Sequence, residues 1–242
     1  MNENYSILAK YYDKFTHKDC DYVRWSQYLY DVASSCNASE VVDIACGTGK
    51  MTELLAAHGL NLIGVDQSVD MLCEARAKCK ANFVQQDMRK LQLAHPVDMA
   101  ICVNDGVNYI KAHELELFLR RVASNLKSGA PFVFDVSSRY KLTHTVGNNV
   151  FYLDGDSETL LWTNRLTKDS VEMSLTLFVA EGDERYRRFD ERHIQYVHTQ
   201  ADVELALTNS GFDVVEVTSD YGLSLTETAQ RITFYAVKTP LR

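Results

Sequence analysis

The chain has 242 residues, of which 46% are hydrophobic and 24% charged. These are ordinary globular values and exclude a wholly disordered or fibrous protein; a chain this long buries roughly 70–75% of its unfolded surface without needing disulfides or a structural metal. The net charge of −8 argues against a general binder of nucleic acid or anionic membranes, because the field of the whole protein repels both.

No apolar run approaches the ~18 residues that span a bilayer, so no membrane segment is expected. Met1 to Lys14 is polar and aromatic, with no signal-peptide core. Cys20, Cys36, Cys46, Cys73, Cys79 and Cys102 form no CxxC pair, and several sit in apolar stretches where a thiol acts as a small hydrophobe. A reduced, cytoplasmic protein is the expectation. No repeat, low-complexity tract or Pro/Gly-rich linker breaks the chain, so a single domain over 1–242 is expected.

In chain order, Tyr22 to Ser34 reads as a leading helix. Glu40 to Ile44 is a short apolar strand that ends in the turn Ala45-Cys46-Gly47-Thr48-Gly49. Met51, Leu54, Leu55 and His58 then recur at helical spacing, with Gly59 as stop. Asn61 to Val65 is a second strand, closed by Asp66. Ser68 can cap the next helix, whose inner face carries Met71, Leu72, Ala75 and Cys79. Asn82 to Gln85 and Val97 to Val103 are the third and fourth strands. His113 to Leu126 is an amphipathic helix, and Pro131 to Val136 begins a fifth strand. Such alternation implies a parallel sheet buried on both faces.

The pattern then changes. Leu160 to Leu166, Val171 to Val179 and Tyr186 to His198 have period-two character and read as antiparallel strands, turning at Lys168-Asp169 and Gly182-Asp183. After Thr199 come a helix to Asn209 and strands Asp213 to Thr218 and Ile232 to Val237. The expected fold class is α/β: a seven-stranded, mostly parallel sheet with helices on both faces, carrying an antiparallel β-insert at about 140–198.

The glycine-rich turn after the first strand lets a ligand approach the main chain and leaves amide N–H groups free to donate. The dinucleotide pattern GxGxxG fails, because Thr52 stands at the third glycine position. The acid Asp66 at the end of the second strand suits a ribose diol.

The block Val42-Asp43-Ile44-Ala45-Cys46-Gly47-Thr48-Gly49, followed by Gly64-Val65-Asp66-Gln67-Ser68 and Met71, closely resembles the class I S-adenosylmethionine-dependent methyltransferases. The resemblance continues through Gln86-Asp87-Met88, Asp98 to Asn104 and Leu126 to Asp135, and so covers a Rossmann-like core. Tyr12-Asp13-Lys14-Phe15, Asn108-Tyr109 and Tyr186 to His193 are similar, more narrowly, to the compact bacterial YqeM-like group with a β-insert. The resemblance implies S-adenosylmethionine as methyl donor and S-adenosylhomocysteine as product. It implies that Asp43 supports the loop and the methionine ammonium, and that the main chain of Ala45, Gly47 and Gly49, with Cys46 beside it, cradles the methionine. Asp66 would bind the ribose. Gln67 and Met71 would flank the adenine, and Asp87 and the Met88 amide would hydrogen-bond its edge. Asn104 would lie near the sulfonium, with Tyr12 overhanging the site. Ala45 departs from the glycine of many members, which a contact through the main-chain carbonyl tolerates.

Methyl transfer is an in-line displacement that needs alignment and exclusion of water, and a base only for a protonated acceptor. The acceptor side would come from Tyr11 and Tyr12, the Asn104 to Tyr109 loop and the insert. On Tyr186 to His198, Arg187, Phe189, Glu191, His193 and Gln195 share one strand face. That row lines an acceptor pocket, with Arg187 for an anionic group and Glu191 or His193 as base, or else it is a solvated face. Tyr109 is the third catalytic candidate. Trp162 reads as a packing residue. His193 and His198 point to opposite faces of a regular strand, and no Zn-like spacing occurs elsewhere, so no metal is expected.

The function expected is transfer of a methyl group to a small-molecule acceptor, with the insert as a lid and a monomer or homodimer as the assembly. RNA or protein as acceptor, and a non-catalytic module that binds S-adenosylmethionine, are the competing readings. An NAD(P) oxidoreductase is disfavoured by Thr52.

Overall fold

The structure is a computed structural model that describes residues 8–16, 20–182 and 184–240. Two helices lead the chain, α1 (Ala9–Thr16) and α2 (Tyr22–Ser35). The alternating core follows: β1 (Glu40–Ile44), α3 (Lys50–Ala57), β2 (Asn61–Asp66), α4 (Val69–Lys78), β3 (Asn82–Gln85), β4 (Met99–Cys102), α5 (Leu115–Ser124) and β5 (Pro131–Ser137). The insert supplies β6 (Val150–Asp154), β7 (Glu158–Leu166), β8 (Ser170–Gly182) and β9 (Arg185–Tyr196). The core resumes with α6 (Gln200–Asn209), β10 (Phe212–Ser219) and β11 (Arg231–Lys238).

The seven core strands form one sheet in the order β10-β11-β5-β4-β1-β2-β3. Strand β11 runs antiparallel to both its neighbours, β10 and β5, and the other pairs are parallel. Every residue of β4 and β5 is buried in the middle of the sheet; β4 is an unbroken apolar run, and β5 is apolar but for Asp135 and Ser137. On one face, α5 and α6 cover a core built around Phe118, Phe132, Phe134, Phe212 and Phe234. The Phe132–Phe134 and Phe134–Phe234 rings stack at 4.6 and 5.1 Å. On the other, α2 and α3 bury Trp25, Leu29, Met51 and Leu55. Caps stop and start the helices as their chemistry requires: Ser68 Oγ accepts the Met71 amide at 3.2 Å, and Thr199 Oγ1 accepts that of Asp202 at 3.2 Å.

The insert is a separate antiparallel sheet, ordered β6-β7-β8-β9. One of its faces packs on α1 through Leu8, Tyr11, Phe15, Leu160, Leu177 and Phe189. The same face covers a π-helical turn (Lys141–Val146) through Leu142, Val146, Val171 and Met173. Among the described residues, no helix is long and apolar enough to cross a membrane.

Two elements depart from the sequence reading. Strand β6 was not foreseen because both its faces are apolar: Phe151 and Leu153 turn toward the insert core, while Val150 and Tyr152 are 63% and 64% exposed. Helix α1 is the other, although Leu8, Tyr11, Tyr12 and Phe15 already repeat at helical spacing. Cys79 is the C-cap of α4 and, half-buried, packs against the cluster of Leu72 and Ala75 as expected. Asp183, in the second expected turn, lies outside the described residues.

Candidate active site

The sheet order changes direction at β1: β2 and β3 lie to one side, β4 and β5 to the other. The loops after β1 and β4 therefore diverge, and the crevice between them is where open α/β sheets bind ligands. Ala45, Gly47 and Gly49 all take positive φ, at 57, 54 and 73°. At Gly47 a Cβ would meet nothing within 4 Å, so its main chain is bare toward the crevice. Gly49 is glycine for packing, since a Cβ there would lie 2.8 Å from Ala75 Cβ on α4. Gly106, in the opposing loop, would place a Cβ 2.8 Å from Cys102 Sγ and 3.2 Å from Ala45 Cβ. The two loops meet only because that side chain is missing.

Between them lies a cavity of about 530 Å³. Its wall includes Tyr12, Ala45, Cys46, Gly47, Asp66, Gln67, Met71, Asp87, Met88 and Asn104, together with Tyr109. Asp43 and Gly49 stand behind the wall. Asp43 is fully buried and accepts from Thr52 Oγ1 at 2.5 Å; this bond explains a threonine where a dinucleotide fold has glycine. Burial pushes the Asp43 carboxyl up to about 7. Asp66 Oδ2 accepts the Gly47 amide at 2.9 Å and Oδ1 the Ser68 amide at 2.8 Å, which fixes the carboxylate at the edge of the loop. Burial raises its pKa, opposed by those main-chain donors. Asp87 is held by Arg89, whose Nη2 donates at 2.7 Å, and that pairing lowers the carboxyl.

The far end of the cavity rests on a buried polar network. Asp135 has no exposed surface and pairs with Arg231. It accepts the amides of Asn104 at 2.6 Å and Asp105 at 2.7 Å, and the Tyr221 hydroxyl. These bonds hold Asn104 and Asp105 in the left-handed conformation, at φ 58 and 57°. Arg231 Nη2 donates to Asn104 Oδ1 at 2.9 Å. The Asn104 amide is thereby oriented so that Nδ2 donates to the hydroxyls of Tyr12 at 3.0 Å and Tyr22 at 3.3 Å. Burial raises the pKa of Tyr12 well above the phenol range, so this hydroxyl keeps its proton.

Helix α1 is tied to both the core and the insert through two adjacent residues, Asp13 and Lys14. Asp13 accepts from Thr48 Oγ1 at 2.6 Å and pairs with Lys78 of α4, which also donates to Thr48 O at 2.8 Å. Lys14 pairs with Glu158 of the insert.

On β9 the row Arg187, Phe189, Glu191, His193, Gln195 does share a face, but the cavity is lined from the opposite one, by Arg192, Ile194 and Tyr196. Glu191 and His193 are turned inward instead. His193 is 2% exposed, its Nε2 lies 3.3 Å from Glu191 Oε2, and its ring meets Tyr109 edge-on at 6.2 Å. Glu191 Oε1 accepts the Leu8 amide at 3.3 Å. Neither reaches the cavity wall; of the three catalytic candidates only Tyr109 does. The side chains of Glu191 and His193 are buried because they bond to each other and Glu191 takes the amide of Leu8, just ahead of α1. Arg187 is corrected too: it is 62% exposed and paired with Glu181. Arg188 pairs with Asp190 at 2.9 Å, so the charged hairpin largely neutralises itself. His198 lies beyond β9, with Nε2 3.0 Å from Ile110 O. Trp162 packs against Phe151, with ring centroids 4.9 Å apart.

Sequence reasoning did not single out Asp105, Arg192, Arg231 or Tyr22. For Arg192 strand parity was signal enough, once the cavity side was known. Arg231 gave no local sign, because its partner Asp135 lies 96 residues away.

The crossover sheet, the bare loop at Gly47 and the carboxylate at the end of β2 form a crevice of the kind in which open α/β sheets bind nucleoside ligands. A methyltransferase-domain family model matches residues 41–129. A methyltransferase-family protein of Geobacillus sp. (strain WCH70) is 31% identical over 97% of this chain and 99% of its own length. YqeM of Bacillus subtilis (strain 168) is 30% identical over 90% of each chain. The crystal structure of an S-adenosylmethionine-dependent methyltransferase from Clostridium acetobutylicum ATCC 824 superposes with a TM-score of 0.89, at 32% identity over 98% of this chain and 99% of that one. The dTDP-3-amino-3,4,6-trideoxy-alpha-D-glucopyranose N,N-dimethyltransferase of Streptomyces venezuelae is 26% identical over 85% of this chain and 90% of its own. The chain belongs to the S-adenosylmethionine-dependent methyltransferases, in the YqeM-like group.

Proposed function

We propose that this methyltransferase acts on a small-molecule acceptor, held between the Rossmann-like core and the insert. The observation that carries the reading is the shape of the site: a cavity of about 530 Å³, walled on its acceptor side by α1, the Asn104–Tyr109 loop and β9. That volume suits one cofactor and a compact partner. The net charge of −8 offers no field to draw in RNA. The sugar N,N-dimethyltransferase relative, named for a small nucleotide-linked acceptor, supports the same reading.

The residues fit S-adenosylmethionine. Gly47 exposes bare main chain, and Asp66, Asp87 and Asp105 put three carboxylates in the wall facing a cationic ligand. When bound, that cofactor supplies an electrophilic methyl group. Asp66 would take the ribose hydroxyls on its remaining lone pairs, Gln67 and Met71 would flank the adenine, and Asp87 with the Met88 amide would meet its edge. Asp43 would stabilise the loop from behind through Thr52. Tyr12, Asn104 and Tyr109 would align the acceptor and keep water out. Burial holds Tyr12 protonated, so it orients and does not act as base. The insert and α1 would serve as the lid of this single domain.

The test is a labelling experiment. Protein is incubated with S-adenosylmethionine labelled in the methyl group and with cell extract separated into small-molecule, RNA and protein fractions. Label is expected in the small-molecule fraction. Label confined to RNA or protein would overturn the small-molecule reading.

A further inference from the structure

The site contains one arginine that its neighbourhood leaves without a counter-ion. Arg192 lies on β9 and shares with Ile194 and Tyr196 the face that lines the cavity. It makes no ion pair and no side-chain hydrogen bond among the described residues. Its cross-strand partner on β8 is Ser174, which carries no charge. Three other arginines of the insert behave differently: Arg165 holds Glu172 at 2.5 Å, Arg187 holds Glu181, and Arg188 holds Asp190. The remaining cations of the cavity wall are also engaged, Lys50 by Glu53 at 3.0 Å and Arg89 by Asp87 at 2.7 Å.

We propose that Arg192 is the anion contact for the methyl acceptor, and that the acceptor therefore carries a carboxylate or phosphate group. The inference deepens the small-molecule reading and rests on it. The carboxylates of the cavity wall, Asp66 at the end of β2 and Asp87 and Asp105 on loops, belong to the core, where a cationic cofactor fits. The guanidinium of Arg192 belongs to the insert, on β9. Its planar fork matches the two oxygens of a carboxylate or phosphate, and such charge-assisted pairs are short and directional. The rim of a partly enclosed cavity also screens that attraction less than open water does. Ile194 and Tyr196, one and two positions further along the same strand face, offer apolar surface for the body of the ligand.

The experiment uses the full chain saturated with S-adenosylhomocysteine, titrated calorimetrically with citrate as the carboxylate probe and inorganic pyrophosphate as the phosphate probe. At least one probe should bind the wild type, and which one binds assigns the anion. Arg192→Gln should weaken that probe at least tenfold, Arg192→Lys should restore part of the loss, and affinity for S-adenosylhomocysteine should stay within twofold. Arg192 is exposed on an edge strand, so an unchanged melting curve confirms that the variants fold. Three results would overturn the proposal: neither probe binds the wild type, the probe binds Arg192→Gln equally well, or the variant loses S-adenosylhomocysteine in parallel. The last would assign Arg192 to the cofactor. Failure of the wild type to bind S-adenosylhomocysteine at all would instead count against the reading of the cavity itself.

Discussion

Asp43 sits near the end of β1 with no exposed surface, one oxygen bonded to Thr52 and Oδ1 without a hydrogen-bond partner among the described residues. Burial is the main cause of its raised pKa, about 7 against 3.8 for a free aspartate. Between those values the folded protein keeps a proton that the unfolded chain has released. Asp43 therefore makes folding less favourable as pH rises from about 4 to about 7, and the effect levels off above that. Urea unfolding of the wild type and Asp43→Asn from pH 4.5 to 8 should show the wild type losing stability relative to the variant across this window. Parallel curves would show that Asp43 does not titrate there. Much at this scale was legible in the sequence: Asp66 and the loop residues announce themselves by position after apolar strands. Asp135 and Arg231 did not, because a buried ion pair joining β5 to β11 leaves no short-range pattern.

At the scale of elements, the core strands were readable because each is a short apolar run closed by a turn or cap. The insert was harder. Period-two alternation gives the two faces of β9 but not which one meets the site, and a polar row can be buried when Glu191, His193 and the start of α1 satisfy one another. Helix α1 has only eight residues and depends on tertiary contacts for its order. Its strap to the core is Asp13 with Thr48 and Lys78. Asp13→Ala should therefore raise amide hydrogen exchange in residues 9–16 while leaving β1, β4 and β5 protected. Unchanged exchange in α1 would show that packing on the insert through Leu8, Tyr11 and Phe15 is sufficient to hold it.

At the scale of the molecule, one sheet positions everything. The reversal of strand order at β1 opens the crevice, Gly106 lets its two loops touch, and Tyr12 of α1 with Arg192, Ile194 and Tyr196 of the insert complete the wall. Within the local charge run at 185–192, Arg187 pairs with Glu181 and Arg188 with Asp190. Asp66 is the proposed grip on the cofactor's sugar. Calorimetric titration of S-adenosylhomocysteine into the wild type and Asp66→Ala measures this most directly. One site per chain is predicted for the wild type, with a loss of about 1–3 kcal/mol in the variant, as for removal of a charged hydrogen-bond acceptor. Equal affinity in the two proteins would contradict it.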